Sequence, residues 1–256
     1  MTPGTPLSWD DYFVPGTEVL RNLYGYDDQA ILTTREEFDT ALRVAELAAD
    51  PVVGSFDYPH LKEIHRRIFQ DVYPWAGVER TAPVGSPMIK VGPDVVNHEP
   101  GDPTAPRRGY AYYPAGPPLT AAAELEFARL AAQDFLRGLS RGDLVREVAE
   151  SWGELNVVHS FREGNTRTQF VFFNQLVEQA GYSLDLTLFR PGSRVRDEFV
   201  WARFHSQATG RNVRLAAVLD RAVFQPGSAR TSDSDVGATR RWARSAMQPP
   251  PRPSGD

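Results

Sequence analysis

The chain of 256 residues contains no cysteine, which excludes disulfides, thiolate metal sites, iron-sulfur clusters and cysteine nucleophiles together. Lysine is nearly as scarce. Of 28 basic residues only Lys62 and Lys90 are lysines, so phosphate binding falls to arginine and backbone amides rather than to a P-loop type of lysine. No run approaches the ~18 consecutive apolar residues of a membrane span, and the first residues lack the basic-then-apolar order of a secretory signal. The expectation is a cytoplasmic protein with no membrane partner. A formal charge of -5 argues against a non-specific nucleic-acid binder. What is present is a globular composition, 41% hydrophobic and 24% charged, with chemistry left to histidine, carboxylates, arginine and main-chain amides.

Three stretches differ in character. Residues 1–16 read as an N-terminal extension, 17–224 as one folded domain, and 225–256 as a Pro, Ser and Arg-rich tail that is expected to be disordered. The tail carries five arginines against three aspartates, so the rest of the chain is near -7. Within the domain the apolar spacing is helical almost everywhere. Thr34 with Glu37 reads as a capping box opening a helix that presents Phe38, Leu42, Ala45 and Ala49. A second helix starts near Asp57 and Pro59, and a third runs from Thr120 to about Leu139, with Leu125, Ala128 and Ala132 on one face. A fourth begins after Asp143, aligns Val148, Trp152 and Leu155, and delivers His159 at its end. A fifth spans about 166 to 180 with Gly181 as its left-handed cap, and two more cover 196–207 and 213–223. Between 78 and 118 the pattern changes. Short β-prone runs at 78–81 and 88–91, separated by Gly85-Ser86-Pro87, predict a hairpin, followed by a long loop over 92–108. The class expected is mainly helical, all-α apart from a small β-hairpin flap.

The junction of the fourth and fifth helices reads His159-Ser160-Phe161-Arg162-Glu163-Gly164-Asn165-Thr166-Arg167. Amides at a helix start are unsatisfied and carry partial positive charge, which suits a phosphate. Gly164 lets the backbone approach a ligand, Asn165 is placed to cap the helix, and Arg167 adds a planar cationic fork. Glu163 among anions makes sense with Mg²⁺ between it and the phosphates, and His159 is free to take a proton from a hydroxyl. Taken singly, each residue also has a structural reading: a histidine favoured by the helix dipole, a glutamate near a helix start, an exposed Arg162.

The combination closely resembles the signature of the Fic (filamentation induced by cAMP) family, His-x-Phe-x-(Asp/Glu)-Gly-Asn-(Gly/Lys)-Arg-x-x-Arg. His159, Phe161, Glu163, Gly164, Asn165 and Arg167 match six of its positions, an agreement expected by chance about once in 10⁵ chains of this length. The run LKEIHRRIFQDVYPWAGVERT, residues 61–81, looks like the family's preceding helix and its entry to the flap. The resemblance covers about residues 17–224. It implies a helical core with a hairpin flap and Mg²⁺-dependent transfer of AMP from ATP to a Tyr, Ser or Thr hydroxyl of a target protein. On that resemblance His159 is the general base, Glu163 the Mg²⁺ ligand, and Gly164, Asn165, Thr166 and Arg167 the nucleotide-binding residues, the Asn side chain included. Phe161 is the buried anchor of the loop. Met88, Ile89, Lys90 and Val91 form the flap that docks the target by strand addition.

Two positions depart from the signature. Thr166 stands where Gly or Lys is usual, and Phe170 replaces the second arginine, which in the family contacts the terminal phosphate. Loss of one charge-assisted contact costs about 1.5 to 3 kcal/mol, roughly ten- to a hundredfold or somewhat more. The inhibitory pattern (Ser/Thr)-x-x-x-Glu-(Gly/Asn) of many relatives is not met by Thr33 with Glu37 or Thr120 with Glu124, because Phe38 and Leu125 follow. Regulation is then expected from a small antitoxin partner or not by that device. Transfer of another nucleotide or of a phosphoryl group, as in the Doc branch, and a degenerate binding module stand as alternatives.

Overall fold

The structure, a computed structural model, describes residues 8–227. Most helix starts are set by a capping side chain. Asp28 accepts from the amides of Ala30 and Ile31 to open α1 (Gln29–Ala49), and Asp57 accepts from His60 N to open α2 (Tyr58–Phe69). Gly116 followed by two prolines begins α3 (Pro117–Ala132). Ser140 and Ser193 cap α4 (Arg141–Val158) and α6 (Arg194–Thr209). The remaining helices are α5 (Asn165–Gln179) and α7 (Val213–Asp220). The described residues are thus mainly helical, with two small antiparallel sheets. β1 (Ile89–Pro93) pairs with β2 (Arg107–Ala111), and β3 (Ser183–Leu184) with β4 (Val223–Phe224).

At the centre lies α4, packed by α3, α5, α6 and α7. Being covered on several sides, it buries Val148, Trp152 and Leu155 completely or nearly so, together with Leu144, Val145 and Ala149. Trp152 stacks on Phe173 of α5 at 4.4 Å. The stripe read from the sequence is therefore the stripe that the fold uses.

Elsewhere the structure corrects the sequence reading. Helix α1 starts at Gln29, not near Thr34, whose hydroxyl bonds back to the Ala30 carbonyl. Its buried face is Leu32, Glu36, Thr40, Val44 and Leu47, and Phe38 and Leu42 point to solvent. The apolar spacing misled because this face buries polar groups for a purpose described below. Helix α3 stops at Ala132, since Asp134, Phe135 and Leu136 all take positive φ. Its inward residues are Leu119, Ala123, Phe127 and Leu130, and Leu125 is exposed.

The flap also pairs differently. The partner of β1 is residues 107–111, in the register Ile89↔Ala111 to Pro93↔Arg107, and residues 78–81 form no strand. The expected long loop over 92–108 is thus the end of β1, the hairpin's connection and the first two residues of β2. It is pinned by Tyr110, whose hydroxyl donates to Pro93 O at 2.6 Å and accepts from Val95 N at 3.2 Å. At the N-terminus, residues from 8 onward join the body. Tyr12 is buried, packs edge-on against Trp75 and accepts from Thr81 N. A boundary at residue 16 therefore separates no independent extension. The tail from 228 lies outside the described residues, as do residues 1–7.

Candidate active site

Helix α4 ends at Val158, and His159 follows as its C-cap with φ 49°, in the left-handed region that non-glycine residues seldom occupy. Its own amide still bonds Leu155 O at 3.1 Å. Of the carbonyls at the end of α4, Val157 O accepts from Tyr113 N, and those of Val158 and His159 are taken by Arg80. Its Nε donates to His159 O at 2.6 Å, and its Nη2 donates to Tyr113 O at 2.6 Å and Val158 O at 3.3 Å. This is why residues 78–81 form no strand. The segment is drawn in to cap a helix, and the Arg80 amide completes the tie by donating to Ser160 O.

The loop from 159 to 164 is fixed from below as well. Phe161 is buried, stacked on His65 at 3.8 Å. His65 accepts from Gly77 N at Nδ1 (2.7 Å), which leaves Nε2 to donate to Glu163 O (3.0 Å). Burial pulls the His65 imidazole down to about 3, so this tautomer is neutral throughout the physiological range. Asn165 binds the Phe161 backbone at both ends, accepting from its amide (2.9 Å) and donating to its carbonyl (2.7 Å). Its side chain is spent on holding the loop rather than turned toward a ligand or capping the helix. The cap is Gly164 at φ 81°, which has no side chain to satisfy the first-turn amides. A Cβ there would sit 2.2 Å from the Phe69 ring, so glycine is required for space as well as conformation.

Above this loop lies the His159 ring, stacked on Tyr112 at 3.8 Å and 19°. Burial holds its pKa well below the ordinary value, and the nearby Arg80, Arg203 and Lys90 cations push in the same direction. The imidazole is neutral near pH 7 and able to accept a proton. Of the flap residues, Lys90 faces the site, its ammonium 5.8 Å from the Phe204 ring, and Ile89 and Val91 point out half exposed. Met88 accepts from the Tyr112 amide and so ties the flap to the residue under His159.

Two arginines meet the first turn of α5 from opposite sides. Arg167 donates through Nη2 to Glu36 of α1 and through Nη1 to Thr40 Oγ1 at 3.0 Å, with Glu163 Oε1 3.8 Å away. Tyr73 donates to the other Glu36 oxygen at 2.5 Å. Burial alone would lower the Arg167 pKa, and Glu36 and Glu163 outweigh it, so the pKa is raised. This explains why α1 buries a polar stripe. Arg203 of α6 arrives on the other side, its Nε on Asn156 Oδ1 at 2.9 Å and its Nη1 on Thr166 Oγ1 at 3.0 Å.

Glu163 is 45% exposed and bonds the Gly164 amide at 2.9 Å. No cluster of three His, Asp or Glu side chains that could hold a metal occurs among the described residues. A single accessible carboxylate fits a Mg²⁺ that arrives with nucleotide phosphates and keeps its waters. Arg162 is not exposed as expected. It lies over Trp9 at 4.5 Å, with Tyr12 and Phe13 alongside.

The structure thus gathers His159, Glu163, Gly164 and Thr166 at one helix junction, with the Lys90 charge near His159 and Glu163 and with Arg167 3.8 Å from Glu163. Sequence reading missed Glu36, His65, Arg80 and Arg203. Only Glu36 left a local signal, as a polar break in the stripe at 32, 36, 40, 44 and 47.

The Fic/DOC family profile matches residues 55–177. The protein adenylyltransferase VbhT of Bartonella schoenbuchensis is 34% identical over 69% of this chain. That match spans 32% of VbhT, about a third of its length. "Probable protein adenylyltransferase y4lH" of Sinorhizobium fredii is 34% identical over 71% of this chain and 82% of its own. Among solved structures, the N-terminal Fic domain of a Bartonella effector protein from Bartonella sp. AR 15-3 superposes with a TM-score of 0.68. It shares 25% identity and covers 86% of this chain and 94% of that one. Matched from sequence along most of y4lH and from structure along nearly all of that domain, this chain belongs to the Fic/DOC family.

Proposed function

We propose that the protein transfers AMP from ATP to a Tyr, Ser or Thr hydroxyl of a target protein. The observation that carries the reading is a neutral histidine held at the end of α4 against the uncapped start of α5. His159 takes the proton of the target hydroxyl, whose oxygen attacks the α-phosphorus, and pyrophosphate leaves. First-turn amides of α5 and the Arg167 guanidinium stabilise the negative charge that develops on the phosphoryl oxygens. Glu163 would hold Mg²⁺, which when bound neutralises charge on the phosphates. The outer edge of β1 would align the target as an added strand, fixing register through the backbone rather than through sequence.

The relatives named protein adenylyltransferase support the reaction class. No helix is long and apolar enough to cross a membrane among the described residues, in keeping with a cytoplasmic site of action. A toxin-like role with a small antitoxin partner is the corresponding biological setting. Phe170 and Thr166 favour one second reading, use of a different nucleotide or transfer of a phosphoryl group.

Incubation with lysate, Mg²⁺ and ATP labelled at either the α or the γ phosphate separates these readings. Label from α alone, lost in His159→Ala, supports adenylylation. Label from γ alone supports phosphoryl transfer, and no His159-dependent label with any nucleotide overturns both.

A further inference from the structure

Thr166 and Phe170 both depart from the family signature, and the structure links them. They lie one turn apart on one face of α5, where a long side chain at 170 would reach back toward the helix start and over position 166. Phe170 does not do so. It is buried among aromatic rings, 5.0 Å from Trp152, 5.0 Å from Phe189 and 5.2 Å from Phe199. Phe199 belongs to α6, and one turn further along that helix stands Arg203, its guanidinium 5.5 Å from the Phe199 ring. The Phe170–Phe199 contact therefore sets α6 at the height that brings Arg203 onto Thr166.

Arg203 is an unusual cation. Its hydrogen bonds go to Asn156 and Thr166, which are neutral, and no carboxylate pairs with it among the described residues. Two like charges, Lys90 and Arg80, share its neighbourhood around His159, where Glu163 is the one carboxylate among the described residues and makes no ion pair with it. Burial lowers its pKa to about 10 with only the Tyr112 phenol opposing, which still leaves it charged at pH 7. A partly buried guanidinium without a counter-ion, beside amides that also want an anion, is stabilised by a phosphate.

We propose that Arg203, reaching in from α6 and held by Asn156 and Thr166, binds the β- or γ-phosphate of the nucleotide in place of the arginine absent at 170. Thr166 then has a defined part: its hydroxyl, which glycine lacks, receives the incoming guanidinium. The two departures become one substitution, in which the cation has moved from α5 to α6. The inference rests on the nucleotide-transfer reading above and assigns a residue that the signature does not contain.

The test is direct titration of the full chain with ATP, ADP and AMP in the presence of Mg²⁺, for the wild type, Arg203→Gln and Arg203→Lys. The Gln variant keeps a donor where Nε meets Asn156 and removes the charge and the reach to Thr166, and the Lys variant keeps the charge and removes the fork. ATP is expected to weaken about ten- to a hundredfold in Arg203→Gln and less in Arg203→Lys, with AMP changed by no more than about threefold. In turnover the loss should appear in KM for ATP more than in kcat. Equal weakening of AMP and ATP, unchanged ATP affinity, or a fall in kcat at unchanged KM would overturn the proposal, the last because it would mean that Arg203 only positions Asn156 and His159. Binding is read without transfer, so a chain that binds ATP through Arg203 but carries no α-label fails the reaction proposal and keeps this one. A wild type that binds no nucleoside triphosphate loses this one.

Discussion

The two arginines that flank the start of α5 are held in opposite ways. Arg167 is enclosed by Glu36, Thr40 and Glu163, with Tyr73 completing Glu36, so its charge is balanced before any ligand arrives. Arg203 has two neutral partners, and no carboxylate bonds it among the described residues. The difference lies in what each guanidinium already holds before a ligand arrives. The compensated one also joins α1 to α5 and is costly to break, and the uncompensated one costs stability while the site is empty and gains from an anion.

The largest expected effect on the reaction comes from neither arginine. His159→Ala should lower transfer by about 10²- to 10⁴-fold, with ATP affinity changed little, since the base acts on the target hydroxyl. On the compensated side, Glu36→Ala leaves Arg167 without its main partner and should cost about 3 to 5 kcal/mol of stability, read by chemical denaturation. Arg203→Gln should do the reverse, keeping stability within about 1 kcal/mol while weakening ATP binding. Equal destabilisation by the two changes would erase the comparison.

A smaller effect follows from the buried histidines. His65 has its pKa held at about 3 and His159 well below its ordinary value, so both stay neutral in the native state and charge in the unfolded chain near pH 6.5. The unfolded state then binds more protons, and their contribution to stability is full above about pH 6.5 and falls as the pH drops through that value toward the native pKa values. A melting temperature that declines between about pH 6.5 and 5 checks this. Transfer should show no acid limb near pH 6.5, because the base remains unprotonated there. The smallest effect belongs to the half-exposed flap residues. Ile89→Thr should change stability by no more than about 0.5 kcal/mol and leave ATP binding unaltered, and any loss should appear in labelling of the protein target.

What the sequence made legible was local. The stripe Val148, Trp152, Leu155 placed α4, Gly181 at φ 89° closed α5, and the run from His159 to Arg167 identified the site. What it hid was contact across the chain. Helix α1 was read with its solvent face inward, because Glu36 and Thr40 are buried for Arg167 and break the apolar stripe. The end of α3 depends on a left-handed turn at 134–136 built without glycine, which no residue type announces. The run at 78–81 is short and β-prone, yet Arg80 is needed at the end of α4. Arg203 carries no local mark among so many arginines. Its trace in the sequence was the loss at 170, which pointed to a missing charge and not to where it had gone.

The account stands most directly on the yield of α-phosphate label measured across ATP concentrations for the wild type, His159→Ala and Arg203→Gln side by side. We predict transfer by His159→Ala about 10²- to 10⁴-fold below the wild type at every concentration, and an Arg203→Gln curve displaced to about ten- to a hundredfold higher ATP that approaches the wild-type plateau. A His159→Ala yield within about tenfold of the wild type, or an Arg203→Gln curve lying on the wild type, would contradict both assignments.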